Sequence, residues 1–165
     1  MDAKISLIAA ISENRVLAKA GKIPWKIPAD KKRYRDKIRG HVIIVGRKTF
    51  DESYTQTVNI VVTRDPEYKP PIPAFVVSSI DKALEKAKEE EVLQKAQYKD
   101  EICVIGGGEV FRQTIPFADK LYLTIVHQIV DGDTFFPDYS EFKNVIFSEE
   151  GEDNGYKFTF IDLEK

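Results

Sequence analysis

A carboxylate set among apolar groups must find donors or change its protonation, which makes Asp30 the first candidate for chemistry in this chain. It follows Ile23-Pro24-Trp25-Lys26-Ile27-Pro28-Ala29, where two prolines fix the backbone around the only tryptophan. The proline at 28 suits a first helical turn, and a helix is predicted over residues 29–38. Asp30 then lies in the first turn, with Tyr34 and Ile38 at i+4 and i+8 on its face. Two uses remain open. Asp30 caps its helix, or it meets a ligand presenting paired N–H groups and carries a raised pKa until that ligand arrives.

Two junctions could hold an anion. In Ile102-Cys103-Val104-Ile105-Gly106-Gly107-Gly108-Glu109-Val110-Phe111 a strand runs into three glycines and a helix, so a phosphate could approach free backbone N–H groups. The spacing is not the dinucleotide fingerprint, because Phe111 stands where its last glycine belongs. In Val42-Ile43-Ile44-Val45-Gly46-Arg47-Lys48-Thr49 a second strand meets a glycine and two cations, without phosphate-loop spacing. Arg64, in Val62-Thr63-Arg64-Asp65 at the end of a third strand, could join them. Cations at the carboxyl ends of strands would suit a nucleotide carrying more than a diphosphate, or they are scattered surface charge.

Those strands must be positioned by one ordinary globular domain spanning residues 1–165. At 165 residues roughly 68–70% of the unfolded surface can be buried, enough for a core without staples. Lys+Arg number 25 and Asp+Glu 27, a net charge of −2, which argues against a nucleic-acid binder. One cysteine, Cys103, within an apolar run, and two histidines, His41 and His127, predict neither a disulfide framework nor a metal site, and Cys103 reads as an inert core thiol. The apolar run 5–11 is too short to span a membrane and has no basic leader, so a cytoplasmic address is expected.

Strands are predicted at 5–11, 41–45, 59–63, 74–78, 102–105 and 121–126, nearly continuously hydrophobic as in a parallel sheet covered on both faces. A helix over 80–96 follows a capping Ser78-Ser79. Runs 144–148 and 156–163 predict a terminal antiparallel hairpin with a long polar loop over 149–155. The expected fold is α/β, a single domain with a mostly parallel central sheet, helices on both faces and that C-terminal hairpin.

The stretches already quoted, with Ile5-Ser6-Leu7-Ile8-Ala9-Ala10, Leu121-Tyr122-Leu123-Thr124 and Gly132-Asp133-Thr134-Phe135-Phe136-Pro137, occur in the order found in dihydrofolate reductases, and the chain resembles that family over nearly its whole length. The resemblance implies reduction of 7,8-dihydrofolate by NADPH in a monomer without nucleic-acid or membrane partners. It implies that Asp30 bonds the pterin's amino and ring N–H groups, that Thr124 bonds Asp30 or the pterin amino group, and that Trp25, in the loop 13–26, holds a proton-delivering water. Ile8, Tyr34, Phe50, Ile105 and Phe111 would wall pterin and nicotinamide, with backbone groups of Ala10 and Leu17 on the nicotinamide amide. Gly46, Gly106, Gly107, Gly108, Glu109 and Val110 would lie along the cofactor, with Arg47, Lys48, Thr49, Thr63 and Arg64 around its adenosine side, favouring NADPH over NADH. The Gly132-Asp133 loop would support the loop 13–26.

The chain departs from the family where an arginine usually forks onto the folate glutamate, since Thr57 stands there. Losing such a contact costs about 1.5–3 kcal/mol, roughly ten- to a hundredfold in affinity. Lys31, Lys32 and Arg35 are available replacements, in a run that otherwise reads as a solvated helix face. Ala18 also replaces a common glycine. Two further readings are a reductase of another pterin or a pyrimidine, and a non-catalytic module whose basic helix contacts RNA or a nucleotide.

Overall fold

β-Branched runs that water cannot reach from either side build the centre of the molecule. The computed structural model describes residues 3–52, 58–93 and 101–165. The strands are β1 (Lys4–Ser12), β2 (Val16–Ala18), β3 (Val42–Gly46), β4 (Val58–Val62), β5 (Phe75–Val77), β6 (Glu101–Val104), β7 (Lys120–Val126), β8 (Thr134–Phe135), β9 (Asn144–Asp153) and β10 (Tyr156–Glu164). The helices are α1 (Pro28–Ile38), α2 (Arg47–Glu52), α3 (Ile80–Leu93) and α4 (Gly108–Thr114), followed by a 3-10 turn over Ile115–Phe117.

Eight strands form one sheet in the order β5-β4-β3-β6-β1-β7-β10-β9, parallel from β5 to β7 and antiparallel where β10 joins β7 and β9 joins β10. Alternate side chains serve opposite layers. Leu7, Val42, Ile44, Ile102 and Val104 pack with Ile80, Ala83, Leu84 and Ala87 of α3 and with Val110 and Phe111 of α4. Ile8, Ile43, Val45, Cys103 and Ile105 meet Ile38 of α1 and Phe50 of α2 on the other face. The mostly parallel sheet with helices on both faces is therefore as expected, and the Ser79 hydroxyl accepts from the Lys82 N–H to cap α3. The predicted end of that helix, 94–96, lies outside the described residues.

The hairpin corrects one expectation. Residues 149–153 are not a loop but the second half of β9, and only Asn154-Gly155 turns the chain. Both turn residues have positive φ, 51° and 81°, as a two-residue hairpin turn matching strand twist requires. That turn supports α1. The helix has no side-chain cap of its own at Ile27, and the Asp153 carboxylate accepts the Ala29 N–H at 2.8 Å while the Asn154 side-chain amide donates to the Lys26 carbonyl at 2.8 Å.

Asp153→Ala leaves the first turn of α1 uncapped and is expected to lower unfolding free energy by about 1 kcal/mol in urea titration. A change below about 0.3 kcal/mol would mean that the cap is carried by other groups.

Candidate functional site

Asp30 is brought to β7 by the first turn of α1. The Thr124 hydroxyl donates to its Oδ1 at 2.5 Å, and Thr124 is itself buried. Among the described residues no cation lies within ion-pair distance of Asp30. Burial pushes its carboxyl above the ordinary carboxylate range, against the Thr124 bond and the charge of Arg33. The carboxylate does not accept a backbone N–H of its own helix, since that role falls to Asp153. Of the two uses left open by the sequence, capping is thus filled by another residue.

The walls around this carboxylate come from the same layer. Ala10 stands opposite Thr124 in the β1–β7 register, and Ile8 opposite Tyr122. Tyr34 packs on the cluster that holds Ile8, Phe50 and Ile105. Trp25 is 7% exposed, packed with Ile27, Val126, Phe158 and Phe160, and its indole Nε1–H has no hydrogen-bond partner among the described residues. A buried donor left unsatisfied costs about 1–3 kcal/mol, so a bound water or ligand atom is its natural complement.

The glycine junctions meet at the carboxyl ends of β3 and β6. The Gly46 N–H donates to the Gly106 carbonyl at 2.7 Å, and the Gly106–Gly107 peptide is cis. At Gly106, φ is +120° and a Cβ would press on the Phe111 ring at 3.2 Å, so only glycine fits. A Cβ on Gly107 would meet the Thr49 hydroxyl at 3.3 Å, and one on Gly46 would meet Val110 at 3.3 Å. A hydroxyl and bare backbone therefore share a cradle that side chains would fill. Gly108 faces Thr134 and Leu17, which brings the loop 13–26 to its rim.

Other candidates are less concentrated. Arg47 lies over the Tyr68 ring at 5.9 Å, while Lys48 and Arg64 are exposed. The Thr63 hydroxyl accepts the Asp65 N–H, and its backbone N–H pairs with Val77. The Glu109 carboxylate is held by Arg112 and Gln113, which with the nearby Arg64 charge keep its carboxyl down to about 2, so its backbone N–H is what remains for an anion. On α1, Arg33 and Lys37 pair with Asp162, and Lys32 with Asp36, which Arg39, just past the helix, also approaches. Lys31 and Arg35 are left exposed and outside any ion pair among the described residues. Thr57 lies outside the described residues.

Support of the loop 13–26 by the Gly132-Asp133 loop was expected, but sequence reasoning missed the two short strands that form the clasp. β2 pairs with β8, the Asp133 carboxylate accepts the Ala20 N–H at 2.9 Å, and a Cβ on Gly132 would strike Val16 at 2.3 Å. The quoted Gly132-Asp133 pair was the available signal, but strands of three and two residues leave no periodicity to read. The Asp153 cap was missed too, because its partner lies 124 residues away.

The dihydrofolate reductase family model matches residues 4–165. The chain is similar to the dihydrofolate reductase of Buchnera aphidicola subsp. Baizongia pistaciae, 37% identical over 171 residues and covering 98% of each protein. It is also similar to the dihydrofolate reductase of Bacillus subtilis, 35% identical over 170 residues, covering 98% of this chain and 94% of the relative. Its fold matches the Enterococcus faecalis dihydrofolate reductase complexed with NADP(H) and RAB-propyl, with a TM-score of 0.83, 28% identity and coverage of 98% and 95%.

The raised carboxyl of Asp30 has a consequence for stability. Above the unfolded value of 3.8 the folded chain still binds the proton that the unfolded chain has lost, so stability falls as pH rises through the folded pKa. Asp30→Asn removes that loss. Thermal melts of the ligand-free protein should show the variant gaining over the native chain at neutral pH, with the gain shrinking as pH approaches 3.8. A gain that instead grows toward acid would show that the buried carboxylate is stabilised as an anion.

Proposed function

The chain belongs to the dihydrofolate reductase family, NADPH-dependent oxidoreductases that convert 7,8-dihydrofolate to 5,6,7,8-tetrahydrofolate, and we propose that Asp30 is the residue on which substrate orientation turns in this chain. The observation that carries this reading is a largely buried carboxylate with one hydroxyl donor and, among the described residues, no cation within ion-pair distance. Such a group is completed by a ligand offering two N–H donors side by side, which the pterin's amino and ring N–H groups supply. The Thr124 hydroxyl occupies one lone pair of Oδ1 and fixes the carboxylate plane, so the remaining lone pairs hold the ring in one orientation.

The cradle fits a dinucleotide. Gly46, Gly106 and Gly107 leave space that a Cβ would take, Thr49 offers a hydroxyl, and Arg47 and Arg64 offer charge for a phosphate. NADPH, when bound there, supplies the hydride. Backbone groups of Ala10 and Leu17 would hold the nicotinamide amide, with Ile8, Phe50, Ile105 and Phe111 excluding water around the reacting rings. The unpartnered Trp25 N–H is placed to hold a water, and the Asp30 anion raises the basicity of the imine nitrogen that takes its proton.

Recognition of the glutamate tail is assigned to Lys31 and Arg35. They are the α1 cations that no carboxylate neutralises among the described residues, and a chain with Thr57 in place of the family's arginine needs such partners. The protein acts as a monomer on these small molecules.

Loss of NADPH absorbance with 7,8-dihydrofolate tests the first assignment. Asp30→Asn should lower kcat/KM by roughly 10²–10⁴-fold, from the loss of two charge-assisted bonds at about 1.5–3 kcal/mol each. Unchanged turnover would overturn the role of Asp30. For the tail, Arg35→Ala should raise KM for dihydrofolate about tenfold and leave KM for dihydropteroate, which lacks the glutamate, as it is. An equal change for both substrates would remove Arg35 from tail recognition.

A further inference from the structure

At the amino ends of the strands, opposite the cradle, His41, Glu101 and Cys103 meet, with ligand-type atoms within 4.8 Å of one another. From their geometry we propose that this cluster is a binding site for one zinc-type divalent cation, with His41 Nε2, Glu101 Oε1 and the Cys103 thiolate as ligands and water in the fourth position. The proposal does not rest on the reductase reading.

The arrangement behind the ligands carries the argument. His41 Nδ1 lies 3.0 Å from the Glu101 carbonyl, which can only accept, so Nδ1 carries a proton and Nε2, on the other side of the ring, is the atom left to ligate. Nε2 is 3.8 Å from Glu101 Oε1, too far for a hydrogen bond. It is near the roughly 3.4–3.7 Å that separates two ligand atoms bonded to one tetrahedral zinc. Glu101 Oε2, in contrast, is occupied: it accepts the Ser6 hydroxyl at 2.7 Å and the Tyr122 hydroxyl at 2.8 Å. One oxygen is thus anchored and the other left facing the imidazole. Metal-binding residues are oriented in the same way, by hydrogen bonds on the atoms that do not ligate.

Charge and donor type select the ion. A carboxylate and a thiolate neutralise a dication, and binding releases the Cys103 proton to solvent. Imidazole and thiolate favour zinc over magnesium or calcium, which take oxygen ligands. Lys37, a neighbouring cation, is engaged with Asp162 at 3.8 Å. Cys103 is fully buried, but His41 and Glu101 keep 10% and 17% side-chain exposure, which leaves a route for the ion. No ligand spacing in the chain announces this set, because residue 41 immediately precedes β3 and residues 101 and 103 lie in β6, adjacent only in the folded sheet.

Cobalt reports such a site directly. The full-length chain, freed of metal by a chelator, is titrated with Co²⁺ and then Zn²⁺. One equivalent of Co²⁺ should give the visible absorption of a tetrahedral site and a thiolate-to-cobalt charge-transfer band, both displaced by Zn²⁺, and Zn²⁺ should raise Tm. Cys103→Ser should lose the charge-transfer band, and His41→Gln should weaken Co²⁺ binding at least tenfold. Tyr122→Phe, which frees Glu101 Oε2, should weaken it about 10- to 100-fold. NADPH turnover verifies that each variant is folded, and His41→Gln keeps the test open should Cys103→Ser fail to fold. A native chain that stays colourless with Tm unmoved, or a band that persists in both His41→Gln and Cys103→Ser, overturns the site.

Discussion

An anion held in an apolar layer without a counter-ion is the constraint around which this protein is arranged. Asp30 sits in the first turn of a helix and keeps its carboxyl above the ordinary range because burial outweighs the Thr124 bond. Removing a carboxylate from water costs several kcal/mol, and one hydroxyl returns only part of that. The deficit is acceptable only if surrounding elements hold the carboxylate in place while no ligand is there. Three do so. β7 brings Thr124, the hairpin turn brings Asp153 to the Ala29 N–H, and Asn154 fixes the Lys26 carbonyl before the helix begins.

This explains why elements distant in sequence converge on one turn of helix. α1 is poorly suited to hold itself. Its single buried residue is Ile38, at the end opposite Asp30, and its N-cap residue Ile27 has no side chain that can accept an N–H. It is also tied to the core by polar contacts, through Arg33 and Lys37 to the buried Asp162 of β10, with Arg33 stacked over Phe160 at 4.7 Å. β10 and its turn therefore anchor both ends of the helix. The C-terminal hairpin thus helps to govern where the carboxylate points.

The parallel strands were legible because hydrophobic runs buried on both faces tolerate no other arrangement, and runs 5–11, 41–45 and 121–126 became β1, β3 and β7 with ends moved by a residue. The hairpin was half legible. Glu149, Glu150, Glu152 and Asp153 looked like a loop because charge argues against a buried strand, but β9 is the outer strand of the sheet and is exposed along most of its length. On an edge, charged side chains are compatible with pairing and protect the free side from other chains. Asn154-Gly155 was the better signal, since its backbone preference is local and independent of burial. In the site, Asp30, Thr124 and the glycines were legible as residue types at strand and helix ends. The Asp153 cap and the His41, Glu101 and Cys103 cluster were not, because each depends on which strands become neighbours.

The two ends of the sheet follow from the same topology. In a parallel sheet every strand points its carboxyl end the same way, so loops that leave it gather the glycines, Thr49 and Phe111 at one edge. Backbone there is held open, with positive φ at Gly106, and the layers beneath must supply the rigidity. They do so with strands whose side chains are almost completely buried, Leu7, Val42, Ile44, Ile102 and Leu123 among them. At the amino ends no substrate has to be admitted, and the Ser6 and Tyr122 hydroxyls both donate to Glu101 Oε2 while the His41 ring bonds the Glu101 backbone carbonyl. A carboxylate with one oxygen anchored by two hydroxyls is fixed in place, with its other oxygen turned to the His41 ring. A carboxylate given one donor and then buried, as Asp30 is, remains available to whatever brings the missing N–H groups.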